Sequence, residues 1–172
     1  MIEFRKEQNG DGPAIRRVNE AAFERKDEAD LVEQLCSDGD AMLSLVAVDD
    51  YDKEVVGHLL CSDLPIKTTS GLVRGAALAP VAVIPDQQGM GVGGGLIMQA
   101  MRDLKPLGVE VVVVLGEPQY YQRFGFSNDL AAGLETKFQG PELMALALKE
   151  GVSAVIEGRP LYAPAFGVDE DT

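Results

Sequence analysis

The 172-residue chain holds one histidine and two cysteines, and its 15 Lys and Arg are outnumbered by 28 Asp and Glu. It also has no apolar run near the ~20 residues that cross a bilayer. Each shortage excludes something. Cys36 and Cys61 form no C-x-x-C pair and cannot build a disulfide framework, so both are expected as buried, reduced thiols. No His/Cys/Asp cluster has metal-ligand spacing, so no metal is expected. The opening Met1-Ile2-Glu3-Phe4-Arg5-Lys6 lacks the apolar stretch of a signal peptide, and a cytoplasmic protein is the expectation. A formal net charge of -13 opposes non-specific nucleic-acid binding and docking on an anionic membrane. An acidic surface keeps a protein soluble and would also attract a cationic amine.

What is present is ordinary globular material. Hydrophobic residues are 46% of the chain and charged residues 25%, enough for a buried core. The length implies one domain over 1–172, with a solvated acidic tail at 167–172. Alternation predicts a strand at Ile2–Lys6, and Asp11-Gly12-Pro13 reads as a helix start. Ile15, Val18, Ala22 and Phe23 would line the buried face of that helix. A second helix from about Glu28 would bury Leu31, Val32, Leu35 and Cys36. Leu43–Val48 and Glu54–Ser62 read as a hairpin, and Leu78–Ile84 as a third strand that Pro80 marks as an edge or a bulge. A helix follows through Leu104, then a buried strand at Val109–Leu115 and a short helix at Pro118–Phe124. Glu142–Leu148, Val152–Ile156 and Leu161–Ala163 are expected as further strands. The order describes an α/β chain with a mixed sheet.

Chemistry concentrates at Val81-Ala82-Val83-Ile84-Pro85-Asp86-Gln87-Gln88-Gly89-Met90-Gly91-Val92-Gly93-Gly94. A strand ends, a polar turn follows, and glycines open a helix. The free amides of a first helical turn converge on one point, the helix dipole adds positive potential, and glycine admits a bulky ligand to the main chain. This is a site for a diphosphate. A P-loop is excluded because Gly93-Gly94-Gly95 offers no Gly-Lys-Ser/Thr ending. Gly89-Met90-Gly91-Val92-Gly93-Gly94 matches the dinucleotide G-x-G-x-x-G pattern, but Pro85-Asp86-Gln87-Gln88 separates it from the strand. A nicotinamide oxidoreductase therefore stays a minor alternative.

Gln88-Gly89-Met90-Gly91-Val92-Gly93 resembles the Q/R-x-x-G-x-G/A pyrophosphate loop of the GNAT superfamily of N-acetyltransferases. Leu78–Pro85 is similar to that superfamily's central strand, and Tyr120-Tyr121-Gln122-Arg123-Phe124-Gly125-Phe126 to its aromatic signature. Leu161–Phe166 resembles the ending of some small bacterial members. The resemblance implies a mostly antiparallel central sheet flanked by helices on both faces, with acetyl-CoA as cosubstrate. It implies that Val81, Ala82 and Val83 offer backbone groups to the pantetheine arm. Gln88, Gly89, Met90, Gly91, Val92, Gly93 and Gly94 would hold the pyrophosphate, and Gly116, Tyr120 and Phe124 would complete the cofactor site. Tyr121 aligns with the tyrosine that protonates the departing thiolate, and the Val83 amide would polarise the thioester carbonyl. Many members carry an Asn shortly before that tyrosine. Leu115-Gly116-Glu117-Pro118-Gln119 has none, so no role is borrowed for it.

The expected reaction is direct acetyl transfer to a primary amine of a small molecule or peptide. A CoA-binding regulatory module on the same fold is the alternative. Glu24, Glu28 and Asp63 are candidate bases, none singled out by its pattern. His58, flanked by Leu59 and Leu60, is expected as a satisfied, partly buried residue. A homodimer through the C-terminal strands stays open.

Overall fold

The computed structural model describes residues 1–152 and 155–168, and the chain divides into two compact units. Its strands take the order β1-β2-β3-β4-β5-β6, with β7 beside β3. Strands β3 (Val55–Thr68) and β4 (Gly71–Val83) contribute one segment to each unit. Among the described residues, no helix is long and apolar enough to cross a membrane.

The first unit comprises Met1–Cys61 and Ala79–Asp103. Strand β1 (Ile2–Lys6) runs antiparallel to β2 (Ala41–Asp49), in register from Ile2 opposite Asp49 to Lys6 opposite Leu45. Between them lie α1 (Gly12–Phe23) and α2 (Asp27–Ser37). Asp11, just before α1, accepts the Gln8 amide at 2.7 Å and pairs with Arg5, which holds its carboxyl below the usual range. Ile15 and Val18 are buried as the spacing of α1 predicts. On α2 the buried positions are Ala29, Val32 and Leu35. One residue further round the helix, Cys36 points to solvent, so the expectation of a buried thiol there was wrong; Cys61 is fully buried. Helix α3 (Val92–Leu104) buries Val92, Leu96, Ile97 and Ala100.

The second unit comprises Ser62–Leu78 and the chain from Leu104 onward. Here β4 pairs with β5 (Val111–Leu115) in parallel, from Gly75 opposite Val111 to Ala77 opposite Val113. Strand β5 pairs antiparallel with β6 (Leu143–Ala147) along its whole length, so the valine run has partners on both edges and is buried on both faces. Two short helices, α4 (Pro118–Gln122) and α5 (Asn128–Ala131), separate β5 from β6. The core is Leu64, Ile66, Ala77, Val111, Leu143 and their neighbours.

Strands β3 and β4 are longer than their sequences predict. They continue to Thr68 and back to Gly71, because Asp63 and Lys67 are exposed while Leu64 and Ile66 alternate inward. A two-residue turn joins them, which makes the pair antiparallel, since parallel neighbours need a long crossover. The pairing with β5 covers Gly75–Ala77 and stops short of Pro80, so that residue's missing N–H interrupts none of it.

Two other strands were misplaced. Strand β7 is Arg159–Pro160, paired with Ile66 and Lys67 of β3, and Leu161 adds one more bond to the Pro65 carbonyl at 2.8 Å. Leu161–Ala163, expected as a strand, has no regular secondary structure, and a 3-10 turn at Pro164–Phe166 follows it. Val155 and Ile156 are not strand, and Ile156 donates to the Leu130 carbonyl at 3.0 Å; residues 153 and 154 lie outside the described residues. So does the acidic part of the tail, Asp169–Thr172.

Candidate functional site

In the first unit the last strand segment alternates as a half-buried strand should. Pro80 and Ala82 are buried, while Ala79, Val81 and Val83 are only partly covered on the other face. The strand end is tied down twice. The Ile84 N–H donates to the Val56 carbonyl at 3.0 Å, and the Gln88 carboxamide Nε2 donates to the Val83 carbonyl at 2.9 Å. Gln88 also closes the 3-10 turn Pro85–Gln87 by donating its own N–H to the Pro85 carbonyl at 3.3 Å. Both polar ends of Gln88 thus work inside the turn.

The chain then turns through Gly89 and Gly91, at φ of +75° and +85°. These are left-handed conformations that cost an L residue roughly 1–2 kcal/mol. Nothing lies within 4 Å of where a Cβ would stand at either position, so glycine is needed for the turn rather than for space. The first helical bond is Gly95 N–H to the Gly91 carbonyl at 3.0 Å. The amides of Val92, Gly93 and Gly94 precede it, and amides there have no intrahelical acceptor. Val92 anchors the turn in the core at 3% exposure, while Met90 stands exposed. Among the described residues these N–H donors meet no main-chain acceptor at the positive end of a 13-residue helix, and no side chain crowds Gly89 or Gly91. The donor set suits a diphosphate.

In the second unit the other candidate residues follow β5. The Gly116 N–H extends the β5–β6 ladder to the Glu142 carbonyl at 3.1 Å. One turn on, the Tyr121 N–H donates to the Glu117 carbonyl at 3.1 Å. The Tyr121 ring packs edge-on against Tyr120 at 5.1 Å and Phe126 at 5.8 Å between centroids. Tyr120 meets Phe124 edge-on at 5.3 Å, and the Arg123 guanidinium stands 5.0 Å above the Tyr120 ring. Burial pushes the Tyr121 phenol up to about 12, with a smaller push from Tyr120. Tyr121 is therefore protonated at every physiological pH, as a proton donor must be. The structure also brings Gly116 against Tyr121, a contact that nothing in the sequence announces.

The candidate bases fare unevenly. Glu28 is bound by Arg25, Nε to Oε1 at 2.8 Å, and its carboxyl is held below the ordinary range, which makes it a poor proton acceptor. Glu24 occupies a left-handed position after α1, and Asp63 is exposed on β3. His58 is fully buried with both ring nitrogens engaged. Asn19 Nδ2 donates to Nδ1 at 3.1 Å while also donating to the Ile15 carbonyl at 3.0 Å. That leaves the ring proton on Nε2, which donates to Ser44 Oγ at 3.0 Å, and Ser44 in turn donates to Glu7 Oε1 at 2.6 Å. Burial lowers the His58 pKa to about 4, so it is a neutral core residue. Its partners Asn19, Ser44 and Glu7 come from three separate segments, and no sequence spacing links them.

A family model described as an acetyltransferase (GNAT) domain matches residues 3–128. The chain is 34% identical over 154 residues to the Escherichia coli protein named Uncharacterized N-acetyltransferase YhbS, covering 86% of this chain and 90% of that one. It is 41% identical over 116 residues to Uncharacterized N-acetyltransferase YjhQ of Escherichia coli strain K12, covering 67% of this chain and 64% of that one. The chain thus spans just under two thirds of YjhQ. Among solved structures, a Brucella melitensis GNAT family acetyltransferase in complex with acetyl-CoA superposes with a TM-score of 0.78 at 32% identity, over 96% of this chain and 98% of that one. YhbS in complex with CoA superposes with a TM-score of 0.82 at 29% identity, over 96% and 92%. The chain belongs to the GNAT acetyltransferase family.

Proposed function

We propose that this protein transfers the acetyl group of acetyl-CoA to a primary amine, on a small molecule or a peptide, by direct attack. The observation that carries the reading is the turn at Gly89–Gly94, whose open amides at the head of α3 suit the paired phosphates of CoA. Similar proteins crystallised with acetyl-CoA or CoA support the same ligand. In this reading Val92, Gly93 and Gly94 bind the phosphates through their amides, and Gly89, Met90 and Gly91 shape the turn. Val81, Ala82 and Val83 offer main-chain groups, which lie in the plane of the sheet, to the pantetheine arm, while the Ala82 side chain is buried in the core. Gln88 keeps the strand end in place. Two free thiols fit a cytoplasmic setting.

Chemically, the amine lone pair attacks the thioester carbonyl carbon and the C–S bond breaks. The Val83 amide stabilises the oxyanion, the amine loses its proton to water, and Tyr121 Oη gives a proton to the departing thiolate and regains one from water. A phenol near 12 is a weak acid toward an ordinary thiolate near 8.5. The desolvation that raises the phenol acts on any anion beside it, so a thiolate leaving in the same surroundings becomes more basic too. That narrows the gap against which the proton moves.

Two measurements test this. Acetyl-CoA at about 100 times its Kd should stabilise the fold by about 2.7 kcal/mol, read as a rise in Tm, whereas NAD should leave Tm unchanged. An unmoved Tm with acetyl-CoA overturns the phosphate assignment. Tyr121→Phe should lower kcat on a responsive amine by about 10²-fold and leave CoA affinity within about twofold. CoA binding with no turnover on any member of an amine panel would instead favour a regulatory module.

A further inference from the structure

We propose that Gly116 is a positioning residue for Tyr121, the absence of a Cβ at this position being what seats the phenol ring against the end of β5. The inference rests on the reading of Tyr121 as the proton donor, and it gives Gly116 a different task from contact with CoA. A Cβ at Gly116 would fall 2.5 Å from Tyr121 Cε2, 3.1 Å from Cδ2 and 3.5 Å from Cζ, the carbon that carries the hydroxyl. Real Cβ atoms essentially never come within 3.0 Å of a non-bonded heavy atom of a more distant residue. Backbone conformation does not explain the glycine, because its φ lies outside the left-handed region. The space does.

Neither backbone is free to give way. Leu115 is in register with Leu143, and the Gly116 N–H prolongs that ladder to the Glu142 carbonyl at 3.1 Å. On the other side the Tyr121 N–H is bonded to the Glu117 carbonyl at 3.1 Å, and its ring is braced by Tyr120 and by Phe126, itself 2% exposed. The soft coordinate is the tyrosine side-chain torsion. One methyl at residue 116 would rotate the ring and carry the hydroxyl away from its seat. A displacement of about 1 Å in a reacting group can cost on the order of 10²-fold in rate.

The test combines a crystal structure of Gly116→Ala with steady-state kinetics of Gly116→Ala, Tyr121→Phe and the double variant. The expected structure has the Tyr121 ring rotated out of its native position on an unchanged β5–β6 ladder. Expected kinetics are a kcat lowered about 10- to 100-fold with KM for acetyl-CoA within about twofold. The double variant should be no slower than Tyr121→Phe by more than about twofold, because a phenylalanine has no hydroxyl left to misplace. The proposal is overturned if the alanine methyl is accommodated with the ring unmoved, if KM rises while kcat holds, or if the two losses multiply. Full turnover in Tyr121→Phe alone would sink the proton-donor reading, and the crystal structure would still decide whether Gly116 seats the ring.

Discussion

His58 shows how much a single buried side chain decides. It is neutral, fully enclosed and bonded at both nitrogens, and burial lowers its pKa from the ordinary 6.5 to about 4. Between those values the unfolded chain binds a proton that the folded chain refuses. The stabilisation is therefore complete above about pH 6.5 and is lost as pH falls toward 4, to a total of about 3 kcal/mol. Urea unfolding at pH 7 and pH 5 should show the wild type losing about 2 kcal/mol that His58→Gln does not lose. Parallel losses in the two proteins would show that other groups carry the acid sensitivity. Gly91 is the comparable case for backbone. At φ of +85°, Gly91→Ala should weaken CoA binding by on the order of 10-fold, since the turn must shift to relieve roughly 1–2 kcal/mol of strain. Calorimetric titration with CoA reads this directly, and an unchanged Kd would mean that the turn does not set the amides.

At the scale of elements, legibility followed the strength of the local pattern. Strand β1, helices α1 and α3 and the valine strand β5 are plain in the sequence because their apolar periodicity is strong and Gly or Pro punctuates their ends. The outer half of the β3–β4 hairpin was missed. Asp63-Leu64-Pro65-Ile66-Lys67 carries a proline, and Leu72-Val73-Arg74-Gly75-Ala76-Ala77 holds a glycine and small residues with no apolar/polar alternation, so neither matches a strand template. Pairing across the hairpin holds them, which is a tertiary cause. Gly75 shows how close that pairing is. A Cβ there would come 2.5 Å from the Leu64 carbonyl, so Gly75→Val should force the two strands apart and cost over ~2 kcal/mol of stability. Equilibrium urea unfolding measures it, and a loss below about 0.5 kcal/mol would mean that the hairpin yields easily.

For the whole molecule, charge is the property that sequence settles without help. The proposed cosubstrate, acetyl-CoA, is itself an anion, and on that proposal it approaches a chain of net charge -13. Its association rate should rise as ionic strength goes from about 10 to about 150 mM, because salt screens the repulsion. Stopped-flow binding would expose the opposite trend if a local positive field prevailed. The glycine turn ahead of α3 was equally readable, because a strand, a polar turn and glycines opening a helix are consecutive in the chain, and consecutive residues need no fold to become neighbours. The seating of Tyr121 was not. Gly116 is five residues upstream, yet the contact exists only because the ladder to β6 pins the one while Phe126 braces the other. Nor did any pattern tie His58 to Asn19, Ser44 and Glu7. Order along the chain prescribes backbone chemistry at a turn, whereas the packing of side chains from distant segments is decided by the closure of the fold around them.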